Sequence, residues 1–143
     1  MAEKYDVAAK RHLETATTLL DETKLDDAGY HYGISGETAI KFALTQAGLS
    51  RQLVALNRNN PLRAHLPSIK QLIKSAEILI STHARGRMSS PIAAVLLDAS
   101  LQTRFAGWDI NIRYADERHC PLREEQVLEW RNDAEYLVQN LVF

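Results

Sequence analysis

Apolar residues recur every three or four positions along almost the whole chain, which is the spacing of helices that pack on one side. The spacing predicts a first helix over about 3–21 and a second that follows Asp26 and Asp27 and ends near Ala47. The two aspartates offer an N-cap, and Gly48 is placed to end the second helix. No alternating run or hairpin turn competes with these helices.

Three more helices are predicted after a polar loop at 57–61. A third runs from Pro67 to about 82, a fourth from about 89 to Trp108 or beyond, and a fifth begins near Pro121. The fifth carries Glu124 and Glu125 where the helix dipole favours negative charge. Because the connections are short, we expect an all-α, four- to five-helix up-and-down bundle forming one domain over 1–143.

Two glycines interrupt the pattern of the second helix. Gly33 and Gly36 lie well inside it, where each costs about 1 kcal/mol relative to alanine. Close packing against a neighbouring element is the expected reason for them.

Composition excludes several classes of protein. Cys120 is the single cysteine among the 143 residues, so no disulfide forms within the chain, and a reducing compartment is expected. The five histidines are scattered without metal-ligand spacing, and neither a metal nor another cofactor is expected. The charged N-terminus does not resemble a signal peptide, and no apolar run is long enough to span a bilayer. We therefore expect a cytoplasmic protein with no membrane partner.

Charge is unevenly distributed around a net value of −1. Residues 51–91 carry seven basic residues against one acidic residue, whereas both flanking stretches are acidic. This basic segment predicts contact with a polyanion such as RNA, and Lys74, Arg85 and Arg87 are the candidate RNA-binding residues. The alternative is a solvated helix face with two polar loops.

Three segments, in order, resemble the HEPN superfamily. The first, at 30–41, has small residues before Glu37 and then Lys41 four positions later. The second is a His-Leu pair at 65–66 that opens the next helix, and the third runs from Trp108 to 114 and ends in Arg-Tyr. This last pattern resembles the Arg-Tyr branch of the superfamily, which occurs in prokaryotic defence and toxin–antitoxin systems.

The resemblance implies a homodimeric, metal-independent endoribonuclease whose paired sites lie at the dimer interface. Catalytic HEPN proteins have four to six residues between an arginine and a following histidine, and here five residues separate Arg113 from His119. By resemblance, His119 activates a ribose 2′-hydroxyl or protonates the leaving oxygen, and Arg113 holds the phosphate. Imidazole transfers protons near neutral pH, and a guanidinium offers a planar fork to phosphate oxygens.

The helical spacing of Arg113 and His119, and the Tyr114 that follows the arginine, leave a noncatalytic alternative open. On a continuous helix, residues six positions apart point about 120° from each other and lie about 9 Å apart along the axis. Convergence of Arg113 and His119 therefore requires a bend, a loop or a second protomer. Toxin-type members often follow the arginine with Asn or Asp, whereas this chain has Tyr114. The alternative is a noncatalytic binding module that partners a nucleotidyltransferase or senses a nucleotide.

Structural roles compete with functional ones at several residues. Glu37 and Lys41 are spaced to form an i,i+4 ion pair on a helix surface. Alternatively, Glu37 points inward and pairs with Arg113, in which case Arg113 is a structural residue and its removal would leave a buried carboxylate unpaired. Glu37, Lys41 and Tyr114 are expected to be structural residues or to support the site. Trp108 and Trp130 are expected in the core or at an interface.

His12, His31 and His65 are expected to have structural or surface positions. His31 is expected to be a packing or surface residue, and His12 to lie on a helix surface although it shares the apolar spacing of the first helix. His65, two residues before Pro67, is expected to cap or line the start of the third helix.

Overall fold

A computed structural model describes residues 4–49, 63–84, 90–114 and 122–143, with only the backbone for His83, Ala84, Ser90, Arg113 and Tyr114. Within these ranges the chain forms six α-helices and two 3₁₀ helices, and none of the described residues is in a strand. The prediction of an all-α bundle is therefore confirmed.

The first two helices, α1 (Tyr5–Asp21) and α2 (Leu25–Gln46), pack closely against each other. On α1 the facing residues include Ala9 and Ala16, which are fully buried. The buried hydroxyl of Ser35 donates to the backbone oxygen of Ala9 at 2.7 Å. Because these side chains are small, the helices approach closely enough for a side chain of one to reach the backbone of the other.

Helix α2 starts slightly earlier than predicted. It begins at Leu25, so Asp26 and Asp27 lie in its first turn, and the prediction that they supply the N-cap is wrong. Their charges are favourable there because the N-terminal end of the helix dipole is positive. At the other end, Gly48 has a φ of +71°, and the following N–H donates to the oxygen of Leu44 at 3.1 Å. Gly48 thus ends the helix as predicted.

The predicted third helix is two short helices, α3 (Ser68–Ser75) and α4 (Glu77–Ala84). They meet at Ala76, whose N–H donates to the oxygens of both Leu72 and Ile73 at 3.1 Å. A shared donor of this kind is common at helix ends. Since Ala76 is itself buried, the apolar spacing continues through the break.

The predicted fourth helix is also shorter than expected. Helix α5 ends at Leu97 (Ser90–Leu97), and the two 3₁₀ helices Ala99–Thr103 and Ile110–Tyr114 follow it. Continuation to Trp108 is therefore wrong.

The break after α5 has a local cause. Asp98 has an extended backbone, and its carboxylate accepts the N–H of Ser100 at 2.8 Å. Aspartate side chains compete in this way with helical hydrogen bonds, so the helix stops although buried apolar residues keep recurring beyond it.

A buried lysine of α3 holds the first 3₁₀ helix. The ammonium of Lys70 donates to the backbone oxygens of Gln102 at 3.2 Å and Arg104 at 2.6 Å, and the Gln102 side chain donates back to the oxygen of Lys70. Burial lowers the pKa of Lys70. Lys70 therefore serves the fold, although it belongs to the basic segment.

Asp133 holds the next turn from the last helix, α6 (Glu124–Leu141). Its carboxylate accepts from the guanidinium of Arg104 at 3.0 Å and from the backbone N–H of Phe105 at 2.9 Å. Phe105 has a φ of +56°, which is unusual for a side chain of its size. The bond to Asp133 fixes this turn and directs the phenylalanine ring into the core.

The core lies around α2, where α1, the second 3₁₀ helix and α6 converge. Trp108 lies against Gly33 and Phe105 against Gly36, so that a Cβ at either glycine would overlap the ring. The two glycines thus provide the space in which these rings are buried. The largest fully buried side chains are Trp108, Trp130, Tyr32, Phe105, Ile40, Leu44, Leu49, Ile69, Ile73, Ile80 and Leu96.

Candidate functional site

A buried carboxylate on α2 joins that helix to the start of α3. Glu37 is 2% exposed, and it accepts from the ammonium of Lys41 at 3.2 Å and from the backbone N–H of Leu66 at 3.0 Å. The Nδ1 atom of His65 lies 3.1 and 3.2 Å from the two carboxylate oxygens. Three donors therefore surround one charge, which is how a buried carboxylate is normally accommodated.

This contact determines which nitrogen of His65 carries the proton. A carboxylate only accepts hydrogen bonds, so Nδ1 of His65 must donate and Nε2 of the neutral ring is left with the lone pair. The side chain of His65 is 48% exposed, whereas that of Glu37 is 3% exposed. The result is a histidine fixed on one side by a buried carboxylate and partly open to solvent.

A second pair of histidines joins α1 to α2. The Nδ1 atoms of His12 and His31 are 2.9 Å apart, and the ring centres are 5.1 Å apart with planes inclined by 24°. The separation of the centres is about the N–N distance plus the two ring radii, so the rings meet edge to edge. One Nδ1–H therefore donates a hydrogen bond to the Nδ1 of the other ring.

Burial lowers the pKa of both histidines. The pKa of His12 falls to about 4, first because the ring is half-buried and then because His31 and Arg11 are close. The pKa of His31 is lowered by burial, against the opposing effect of Asp27. Both rings therefore favour the neutral form at neutral pH, which leaves an unprotonated Nδ1 to accept the hydrogen bond.

We expect the free energy of unfolding to decrease as the pH falls below about 6.5, the ordinary pKa of histidine. Below about pH 6.5 an unfolded His12 takes up a proton, whereas the folded one resists protonation until about pH 4, so the unfolded state binds more protons between these values. The loss should be about 1 kcal/mol, which is less than the full shift implies because the ring is only half-buried. Urea unfolding at pH 7, 6 and 5 measures it.

The matched control for this pH dependence is His12→Asn, whose amide can still bond to His31 but does not titrate. Carboxylates titrate equally in both proteins, so the difference between the two pH curves isolates His12. Parallel curves would contradict the expectation.

An aromatic cluster connects the histidine pair to the second 3₁₀ helix. The ring of Tyr30 contacts that of His31 edge-on, with centres 5.1 Å apart, and stacks on Trp108 at 6.4 Å. The indole N–H of Trp108 donates to the oxygen of Gly29 at 2.9 Å. Since the 3₁₀ helix begins two residues after Trp108, these contacts anchor it to the N-terminal half of α2.

The residues proposed for catalysis are only partly described. The backbone of Arg113 and Tyr114 lies in the second 3₁₀ helix, which packs on α2, while His119 lies outside the described residues. After the gap, the N–H of Leu122 donates to the carboxylate of Asp26 at 3.2 Å. The described flanks of this segment therefore both contact α2.

Of the predicted RNA-binding residues, Lys74 is exposed in the last turn of α3. Arg85 and Arg87 lie outside the described residues. The proposed pairing of Glu37 with Arg113 concerns a side chain that is likewise not described. The observed partners of Glu37 are on α2 and at the start of α3.

Sequence reasoning missed both histidine contacts. His12 follows the apolar spacing of α1, and this spacing was the available signal that it faces α2 rather than solvent. For His65, the signal was a histidine beside an apolar residue at a helix start, but its partner lies 28 residues away in the sequence.

Across the described ranges, no three His, Cys, Asp or Glu side chains are grouped as a metal site. No α-helix in the described part of the chain has both the length and the apolar character needed to cross a bilayer. Comparison with protein-family models, curated proteins and solved structures finds no match.

Proposed function

We propose that the chain is a HEPN-type protein of the defence or toxin kind that cleaves RNA without a metal. The observation that carries the proposal is that the three segments resembling HEPN proteins meet on one helix. Glu37, from the first segment, bonds to His65 and Leu66 of the second. Trp108, from the third, lies against Gly33 of the first. The resemblance therefore concerns segments that lie together in the fold.

The proposed chemistry uses Arg113 and His119. The 2′-hydroxyl of a ribose attacks the adjacent phosphorus, and the bond from phosphorus to the 5′-oxygen breaks. His119 either accepts the proton of the 2′-hydroxyl or donates a proton to the departing 5′-oxygen. The guanidinium of Arg113 neutralises charge on the phosphate oxygens as they become more negative. The nucleophile belongs to the RNA, so the reaction requires no cofactor. Lys74, Arg85 and Arg87 of the basic segment would bind the RNA backbone.

A second candidate is a noncatalytic module that binds a nucleotidyltransferase or a nucleotide. The order Arg113–Tyr114 favours it, because the toxin-type pattern has Asn or Asp after the arginine. The buried contacts of Glu37 are equally compatible with this function, since they hold α2 to α3 whether or not RNA is cut.

Cleavage of labelled RNA in EDTA by the parent, Arg113→Ala and His119→Ala separates the two candidates. We expect metal-independent cleavage by the parent and a fall of about 100-fold or more in each variant, with unchanged circular dichroism. Absence of cleavage by the parent across RNAs of varied sequence would reject the nuclease and favour the binding module.

Subunit mixing tests the expected homodimer. If Arg113 and His119 of one site come from different protomers, a mixture of the two inactive variants contains dimers with one intact site and regains part of the activity. If both come from one protomer, mixing restores nothing. Sedimentation of the parent measures the dimer directly.

A further inference from the structure

The two histidines that join α1 to α2 lie close enough to bind one metal ion together. The Nδ1 atoms of His12 and His31 are 2.9 Å apart, and burial lowers the pKa of both rings. Both rings therefore favour the neutral form, which is the form that binds metal ions. Each side chain is only half-buried, so water reaches the pair. The function proposed above uses neither histidine.

The distance between the two nitrogens fits a particular coordination geometry. Imidazole nitrogens bind divalent transition-metal ions at about 2.0–2.1 Å. Two such bonds at right angles, as in the square-planar and tetragonal sites of Cu²⁺ and Ni²⁺, place the nitrogens about 2.9 Å apart. The tetrahedral angle that Zn²⁺ prefers would require about 3.3–3.4 Å. The observed 2.9 Å between the Nδ1 atoms therefore favours Cu²⁺ or Ni²⁺.

Hydrogen bonds on either side of the pair hold the two helices at this separation. Ser35 donates to the backbone oxygen of Ala9 at 2.7 Å, and the hydroxyls of Thr17 and Tyr32 are 3.1 Å apart. His12 lies between Ala9 and Thr17 on α1. The packing of the helices, and not the histidine contact alone, thus sets the distance between the two rings. A metal site requires ligands that are positioned in this way before the ion binds.

The charges that act on the pair come from both helices. Asp27 lies one turn before His31 on α2, and its carboxylate opposes the lowering of the pKa of His31. Arg11 lies beside His12 on α1, and its guanidinium lowers the pKa of His12 further. A carboxylate favours a bound cation and a guanidinium disfavours it, so these two side chains should affect metal affinity in opposite directions.

We propose that His12 and His31 form a two-histidine site for Cu²⁺ or Ni²⁺. Water completes the coordination, since no third ligand is grouped with them among the described residues. The ion replaces the hydrogen between the two Nδ1 atoms, and each ring turns until its lone pair points to the ion. That hydrogen is lost to water while Nε2 of the same ring gains one, so both rings stay neutral. The bound ion joins α1 to α2 and stabilises the folded chain.

The test is a calorimetric titration of the full-length protein with Ni²⁺ at neutral pH, beside His12→Asn and His31→Asn. Asparagine can still form a hydrogen bond to the remaining histidine but supplies no imidazole. Two charge variants, Asp27→Asn and Arg11→Gln, keep both imidazoles. Binding by the other histidines or by Cys120 is common to all these proteins, so it cancels in the comparison. Circular dichroism checks each fold, and His31→Asn serves alone should His12→Asn not fold.

We expect the parent to bind one Ni²⁺ at least about 100-fold more tightly than either histidine variant, because losing even an outer-shell partner weakens metal affinity by about 10- to 100-fold. At low salt, Asp27→Asn should weaken binding by about 3- to 10-fold, and Arg11→Gln should strengthen it by a similar factor. Ni²⁺ should bind at least as tightly as Zn²⁺. The urea midpoint of the parent should rise with Ni²⁺ concentration, and those of the histidine variants should stay constant over the same range.

Two results would overturn the site. Affinity of the parent within about threefold of that of the folded histidine variants would show that the pair is only a hydrogen bond between two helices. Zn²⁺ binding about tenfold or more tighter than Ni²⁺ binding would reject the right-angled geometry. Neither result bears on the proposed nuclease, because the titration contains no RNA.

Discussion

Gly33→Ala is expected to destabilise the fold by about 3 kcal/mol, because the added carbon would lie 1.9 Å from the indole of Trp108. The indole would have to move, and its hydrogen bond to Gly29 would be lost. Alanine favours the helix over glycine by about 1 kcal/mol. The expected net loss of stability is therefore the cost of the steric overlap minus this gain in helix propensity. Urea unfolding monitored by tryptophan fluorescence would report both stability and displacement of the ring.

The other buried glycines of α2 provide a graded control. The nearest atom to a Cβ lies at 2.4 Å for Gly36 and at 2.8 Å for Gly29, where it is the flexible end of Leu122. The loss of stability should therefore decrease from Gly33 to Gly36 to Gly29. In a Trp108→Ala background, Gly33→Ala should cost little, because the ring it displaces is absent. A parent-like Gly33→Ala would show that Trp108 does not pack on α2 as described.

Glu37→Ala is expected to cost about 3–5 kcal/mol, because it leaves the ammonium of Lys41 buried without its carboxylate. It also removes the acceptor for His65 and for the backbone N–H of Leu66. Replacing Glu37 and Lys41 together by leucine should cost less than Glu37→Ala alone, since no charge is then stranded. Chemical denaturation of the three proteins measures this order.

The matched control is Glu135→Ala on α6. Glu135 also pairs with a cation four residues away on its helix, but the side chains of Glu135 and Arg131 are 48% and 39% exposed. Its loss should change stability by no more than about 0.5 kcal/mol. Equal effects at Glu37 and Glu135 would contradict the assignment of Glu37 as a buried connection between helices.

Much of the helical architecture could be predicted from periodicity, and the failures have a common cause. The spacing of Leu97, Leu101, Phe105 and Trp108 is helical, and the last three are fully or almost fully buried. Yet the helix is replaced by 3₁₀ turns, because the carboxylate of Asp98 competes with the helical hydrogen bonds and Phe105 has a positive φ. Periodicity registers which side chains are buried, and it is insensitive to the backbone path that connects them.

The candidate site was less predictable because its contacts are distant in the sequence. The spacing of Glu37 and Lys41 predicted their ion pair but could not indicate that α3 would cover it. His65 is 28 residues from Glu37, and His12 is 19 from His31. No spacing rule relates residues on separate helices, so only the packed fold brings such groups together.

The buried glycines of α2, Gly29, Gly33 and Gly36, also bear on how the chain is synthesised. The bond from Trp108 to Gly29 joins residues 79 positions apart, so ribosomal synthesis completes α1 and α2 long before the indole that covers them exists. Until then the space that Gly33 leaves on α2 is not covered by the indole. Such unfinished surfaces attract chaperones and neighbouring chains. The close packing that stabilises the finished bundle therefore leaves the growing chain prone to aggregation during translation, until the segment around Trp108 has emerged.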